Sequence, residues 1–149
     1  IGACLLSLDD LGTVWEYQSF VLPSKYPQLS AFCQRLTGIQ QEQIDSAPTF
    51  PEMMVELQEG LKRYSNIIFA CWSDFDWKQL QKECQRNNST HPFLNEYWDL
   101  QKRFKQVHKQ KKHHSVAGAL EFLGLEFIGT KHSAIADARN TARLLPSLF

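Results

Sequence analysis

The chain has 149 residues, enough for one domain with a core, and its 43% apolar and 12% aromatic content excludes an intrinsically disordered tail. No apolar run approaches the ~20 residues of a membrane-spanning helix and nothing in the form of a secretory signal opens the sequence, so the expected setting is cytoplasmic, without a membrane partner. The formal net charge is zero but uneven: Lys102, Arg103, Lys105, Lys109, Lys111 and Lys112 lie in one stretch that holds no carboxylate, leaving an acidic remainder.

Residues 1–8 are apolar, Asp9-Asp10-Leu11-Gly12 reads as a turn, and residues 13–22 are rich in β-formers, which predicts a hairpin. Asp9 and Asp10 are assigned to the turn itself. Ser30 is placed to cap a helix over residues 31–36, stopped by Gly38. Thr49 is placed to cap the next helix, with Pro51 in its first turn and Met54, Leu57 and Leu61 on one face.

Residues 66–72 form a short strand whose unbroken apolar run suggests burial on both faces. A helix follows over residues 75–86 with Leu80 and Cys84 inward, then a loop, then a strand around residues 96–100. The basic segment comes next, partly helical, and is either a track for a polyanion or a solvated loop. Ser115 caps a helix over residues 116–123, Gly124 ends it, and residues 134–145 form the last helix. The order, two strands followed by alternating helices and strands, predicts an α/β domain with a mixed sheet. The cysteines, Cys4, Cys33, Cys71 and Cys84, show no C-x-x-C pairing and are expected to be reduced thiols. No pairing among His91, His108, His113, His114 and Cys84 has the spacing of a zinc site.

Three residues stand out chemically. His132 precedes Asp137 by five positions at the start of the last helix, and Asp76 follows the short apolar strand. Two carboxylates can hold a divalent cation, and an imidazole ordinarily titrates close enough to neutrality to take a proton from water. Asp74 is the better candidate to cap the helix after the strand, which frees Asp76 for chemistry. Trp72 and Phe75 flank that motif, placed either to stack on a base or to fill the core.

Leu29-Ser30-Ala31-Phe32-Cys33-Gln34-Arg35-Leu36-Thr37-Gly38-Ile39, Phe75-Asp76-Trp77 and His132-x-Ala134-x-x-Asp137-Ala138-x-Asn140 together resemble the motifs of the DEDD 3′-to-5′ exonucleases, in the histidine-bearing (DEDDh) branch. The resemblance extends over essentially the whole chain and is nearest to exoribonucleases that trim small-RNA and ribosomal-RNA ends. It implies an RNase H-like α/β fold with a mixed sheet, two Mg²⁺ or Mn²⁺ ions, Asp137 and Asp76 as metal ligands, and His132 as general base. It further implies that Leu36, Thr37, Gly38 and Ile39 contact the terminal nucleotide of a single-stranded or end-frayed nucleic acid, RNA preferred. Lys109, Lys111 and Lys112 are the candidates for backbone phosphates.

The family's first motif, Asp-x-Glu on a central strand, has no counterpart in the 149 residues. Residues 1–149 are therefore expected to be the C-terminal larger part of an exonuclease domain, inert and poorly stable without that strand. A non-catalytic nucleic-acid-binding module with the same fold is the alternative.

Overall fold

The computed structural model describes residues 1–93 and 97–149. At the start of the chain β1 (Gly2–Leu6) and β2 (Thr13–Gln18) pair antiparallel, with Gly2 opposite Gln18 and Leu5 opposite Trp15. Asp10 Oδ1 accepts the Gly12 N–H at 2.9 Å, so the acidic pair makes the turn, as the sequence predicts.

Ser30, Thr49 and Ser115 stand at the helix starts the sequence assigns them. Ser30 Oγ accepts the Cys33 N–H at 3.1 Å to open α1 (Ala31–Thr37), which stops at Gly38. Thr49 and Glu52 form a reciprocal capping box for α3 (Phe50–Leu61), whose inward face is Phe50, Met53, Met54, Leu57 and Leu61. Between them lies α2 (Gln41–Asp45), a single turn the sequence did not predict. It opens on Gln40 and Gln43, a pairing outside the usual capping signature.

The second half begins with β3 (Phe69–Cys71), followed by α4 (Phe75–Arg86), on which Trp77 joins Cys84 in the interior. β4 (Tyr97–Asp99) runs parallel to β3, with Phe69 opposite Tyr97. Glu96, assigned to this strand from the sequence, lies outside the described residues. Asp99 Oδ1 accepts the Lys102 N–H at 2.9 Å and opens α5 (Leu100–Val107). Ser115 opens α6 (Val116–Phe122) in the same way. The last helix, α7 (Ala134–Ala142), stops three residues short of the predicted end, and Leu145–Ser147 continues as a 3₁₀ turn. Pro146 has no N–H to give the Ala142 carbonyl, so the α-helical pattern cannot run through it.

The strands form two separate two-stranded sheets, β1–β2 and β3–β4, where the sequence predicts one mixed sheet. The core divides with them. Phe50, Met53, Met54, Leu57, Leu61 and Cys84 pack with Leu5 and Trp15 beside the antiparallel pair. Leu100, Phe104, Ala119, Leu120, Leu144, Leu145 and Leu148 pack with Trp72 and Phe127 beside the parallel pair. A cavity of about 2450 Å³ is bordered by residues of both β1 and β3. This corrects the expectation that residues 66–72 are buried on both faces: Ile68 is 43% exposed, and both it and Ala70 border that cavity. The hairpin is held by α7, whose first turn lies directly on β1. A Cβ on Gly2 would stand 2.3 Å from the Ala134 carbonyl carbon, so only glycine permits this approach.

Candidate active site

Two local features carry the acidic residues. Asp76 sits in the first turn of α4, just past the carboxyl end of β3. Asp74 occupies the cap position of that helix but makes no capping bond; its Oδ2 accepts from Lys78 Nζ at 2.6 Å instead. Asp137 lies in the first turn of α7, and its N–H donates to the Ser133 carbonyl at 2.8 Å. His132 ends the preceding loop at φ 65°, a left-handed conformation that costs a non-glycine residue about 1–3 kcal/mol.

Asp76, His132 and Asp137 all border the cavity between the sheets. Although solvent reaches Asp76, the protein around its carboxyl raises it above the ordinary aspartate range, and the charge of Asp137 raises it further. Burial likewise raises Asp137, against the opposing pull of the His132 charge and the His132 backbone N–H. A carboxyl whose ionisation is opposed by burial and by a second carboxylate forms a site that a hard cation relieves, because such ions take oxygen ligands. The donors fit a divalent metal in chemistry and electrostatics, and fall short in number. Among the described residues no group of three His, Cys, Asp or Glu side chains stands close enough to hold an ion.

The same cavity receives Leu36, Thr37 and Ile39, and Gly38 stands between them at the end of α1. Trp72 and Phe75 part ways. Trp72 packs on Phe104 with ring centroids 5.8 Å apart, and its Nε1 donates to the His114 carbonyl at 2.8 Å. Phe75 is 67% exposed, which sets aside its core-packing reading and leaves its ring open to solvent beside Asp76. The basic segment lies elsewhere. Lys102, Lys105 and Lys109 line a second concavity of about 490 Å³ with Gln106, Gln110 and His113, while Lys111 and Lys112 are exposed on the turn that follows. All four cysteines are free thiols, and burial pushes Cys71 up to about 12 and Cys4 up to about 11, which disfavours the reactive thiolate at both.

Glu16, Arg139 and Arg143 carry no signal in the sequence, and Asn140 enters only as the last position of the motif that begins at His132. The Arg139–Glu16 ion pair joins residues 123 apart, which no local pattern reveals. The burial of Asn140 is legible from spacing: it lies four residues after Ala136 and four before Leu144, a polar residue between buried apolar ones.

A split α/β frame with two acidic residues and a histidine at one cavity defines a domain of the RNase H-like nuclease class. Residues 2–145 match the RNase_T exonuclease family, and the chain belongs to that family. It is 37% identical over 163 residues to ERI1 exoribonuclease 2 of Danio rerio, covering 95% of this chain and 29% of that protein. The human protein of the same name is 34% identical over 151 residues, covering 87% of this chain and 22% of its relative. The chain thus spans under a third of the length of these curated relatives. Among solved structures it resembles the nuclease domain of 3′hExo, a DEDDh family member bound to rAMP, with a TM-score of 0.89 at 27% identity, covering 97% of this chain and 76% of that one. Membership of the DEDDh branch implies dependence on divalent metal ions.

Proposed function

We propose that the protein hydrolyses single-stranded or end-frayed nucleic acid from its 3′ end, RNA in preference to DNA, in a reducing intracellular compartment. The observation that carries this reading is that Asp76, His132 and Asp137 border one cavity, with the Asp137 charge felt at Asp76 and the His132 charge felt at Asp137. The names of the relatives and the rAMP in the 3′hExo structure support RNA as the substrate class.

Asp76 and Asp137 would hold Mg²⁺ or Mn²⁺. Such ions, when bound, neutralise a phosphodiester and acidify an attacking water. The imidazole of His132 would accept a proton from the attacking water as its oxygen bonds to phosphorus and the bond from phosphorus to the 3′ oxygen of the preceding nucleotide breaks; that oxygen leaves and takes a proton from solvent. Leu36, Thr37, Gly38 and Ile39 bound the terminal nucleotide, and Phe75 offers an exposed ring for a base to stack on. Lys109, Lys111 and Lys112 contact backbone phosphates farther along the strand. Among the described residues β1 pairs only with β2 and β3 only with β4, and both β1 and β3 border the cavity, which supports a further extended segment lying between them in the intact protein. If it carries an Asp-x-Glu pair, it completes both the sheet and the ligand set.

Single-turnover cleavage of a 5′-labelled oligonucleotide by the full-length protein tests the roles. Asp137→Ala should abolish cleavage. His132→Ala should slow it by about 10²- to 10⁴-fold with metal binding largely retained. A His132→Ala protein with near wild-type rates across neutral pH would remove the imidazole from the reaction.

A further inference from the structure

His132 reaches the site from a loop and not from the helix that carries Asp137, so something must hold that loop. Its apolar anchor is Phe127, which packs on the core around Leu120 and Leu144. Beyond Phe127, Ile128 through His132 are all exposed, Ile128 by 62%. Side-chain burial therefore does not fix the segment that leads into the histidine.

Asn140 does. It is the one wholly buried polar side chain among the described residues. Its Nδ2 donates to the Ile128 carbonyl at 2.7 Å and to the Ala136 carbonyl at 2.8 Å. Its Oδ1 accepts the Ile128 N–H at 3.0 Å and Arg143 Nη1 at 2.9 Å. That set uses both donors and both lone pairs of the amide, so its orientation is determined. Arg143 Nη1 also donates to the Glu126 carbonyl at 2.7 Å, clipping the loop to α7 at a second point. The chain then crosses the helix at Gly129, where an added Cβ would lie 3.3 Å from Ala136 Cβ. Only Thr130 and Lys131 separate that crossing from His132, and the Thr130 carbonyl accepts the Ser133 N–H at 3.2 Å.

We propose that Asn140, assisted by Arg143, is a positioning residue that sets the His132 imidazole by locking the loop of residues 126–131 onto α7. The proposal rests on the assignment of His132 as the general base. One helix then carries the Asp137 carboxylate directly and controls the histidine through a polar latch on its buried face. The left-handed backbone at His132 is sustained because both ends of its short tether, the Ile128 bonds and the first turn of α7, belong to the same rigid element.

A double-mutant cycle in the full-length protein tests this by single-turnover rate, KM and thermal midpoint. Asn140→Ser should lower the rate by roughly ten- to a hundredfold, with KM changed far less. Arg143→Met leaves the buried amide in place and should lower the rate in the same sense by a smaller factor, which keeps the test usable if Asn140→Ser folds poorly. In a His132→Ala background either substitution should cost less than about twofold, because the group it positions is gone. Rate losses that multiply in the His132→Ala background would overturn the latch while leaving the general base intact. A His132→Ala protein as fast as wild type would overturn the general base, and the latch with it.

Discussion

Arg139 grips Glu16 through a forked ion pair, Nε to Oε1 at 2.9 Å and Nη2 to Oε2 at 2.5 Å, tying the helix that carries Asp137 to the second strand of the hairpin. Arg139 holds the Glu16 carboxyl below the usual glutamate range. A depressed carboxylate adds stability above its unfolded pKa and loses it as pH falls through the lower folded value. Glu16→Gln should therefore lower the thermal midpoint at neutral pH, and the difference from wild type should vanish in acid. The pair is solvent-exposed, so the difference should also shrink in high salt. A deficit unchanged by pH would point to poorer packing and not to charge.

Asp76 and Asp137 predict the opposite pH behaviour. Their carboxyls are raised, Asp76 by burial and the charge of Asp137, and Asp137 by burial. A raised carboxyl adds stability below the ordinary aspartate pKa of about 3.9, and that stability is lost as pH rises through the folded value. At neutral pH the ionised pair opposes folding, and a bound cation cancels the opposition. Adding Mn²⁺ to the metal-free protein should raise its thermal midpoint at pH 7, and the rise should fade toward pH 4 as protons replace the metal. Asp76→Asn should stabilise the metal-free protein at pH 7 and blunt its response to Mn²⁺. An equal Mn²⁺ response in wild type and Asp76→Asn would place the metal elsewhere.

The basic segment predicts a salt signature. Replacing Lys109, Lys111 and Lys112 with alanine in the full-length protein carrying Asp137→Ala should weaken single-stranded RNA binding for every sequence alike. The log–log salt slope should flatten by up to about 0.7 for each phosphate that is no longer neutralised. An unchanged slope would return these lysines to solvent.

What the sequence disclosed was mostly local. Ser30 and Ser115 open helices because a hydroxyl three residues ahead of a free N–H is a contact within one turn, and Thr49 does so through Glu52, whose carboxylate accepts its N–H from three residues on. Spacing alone says little about Asp76, Asp137 and His132; it is the resemblance of their motifs to the DEDDh pattern that singles them out, and all three border the cavity. Ile68 was misjudged because an apolar run reports affinity for an interior and not the presence of a neighbouring strand. Trp72 and Phe75 have similar composition and opposite fates, decided by α5, which offers Phe104 to the indole. Glu16 with Arg139, and Asn140 with Ile128, are products of tertiary folding that join distant segments.

The most direct measurement is the cleavage pattern of a 5′-labelled single-stranded RNA incubated with the full-length protein and Mn²⁺, with either a free 3′ hydroxyl or a blocked 3′ end. The expected product is a ladder that shortens stepwise from the free 3′ end, is suppressed by the block, and is absent for Asp137→Ala. Internal cuts made equally in both RNAs, or a label released at once as a mononucleotide, would contradict it.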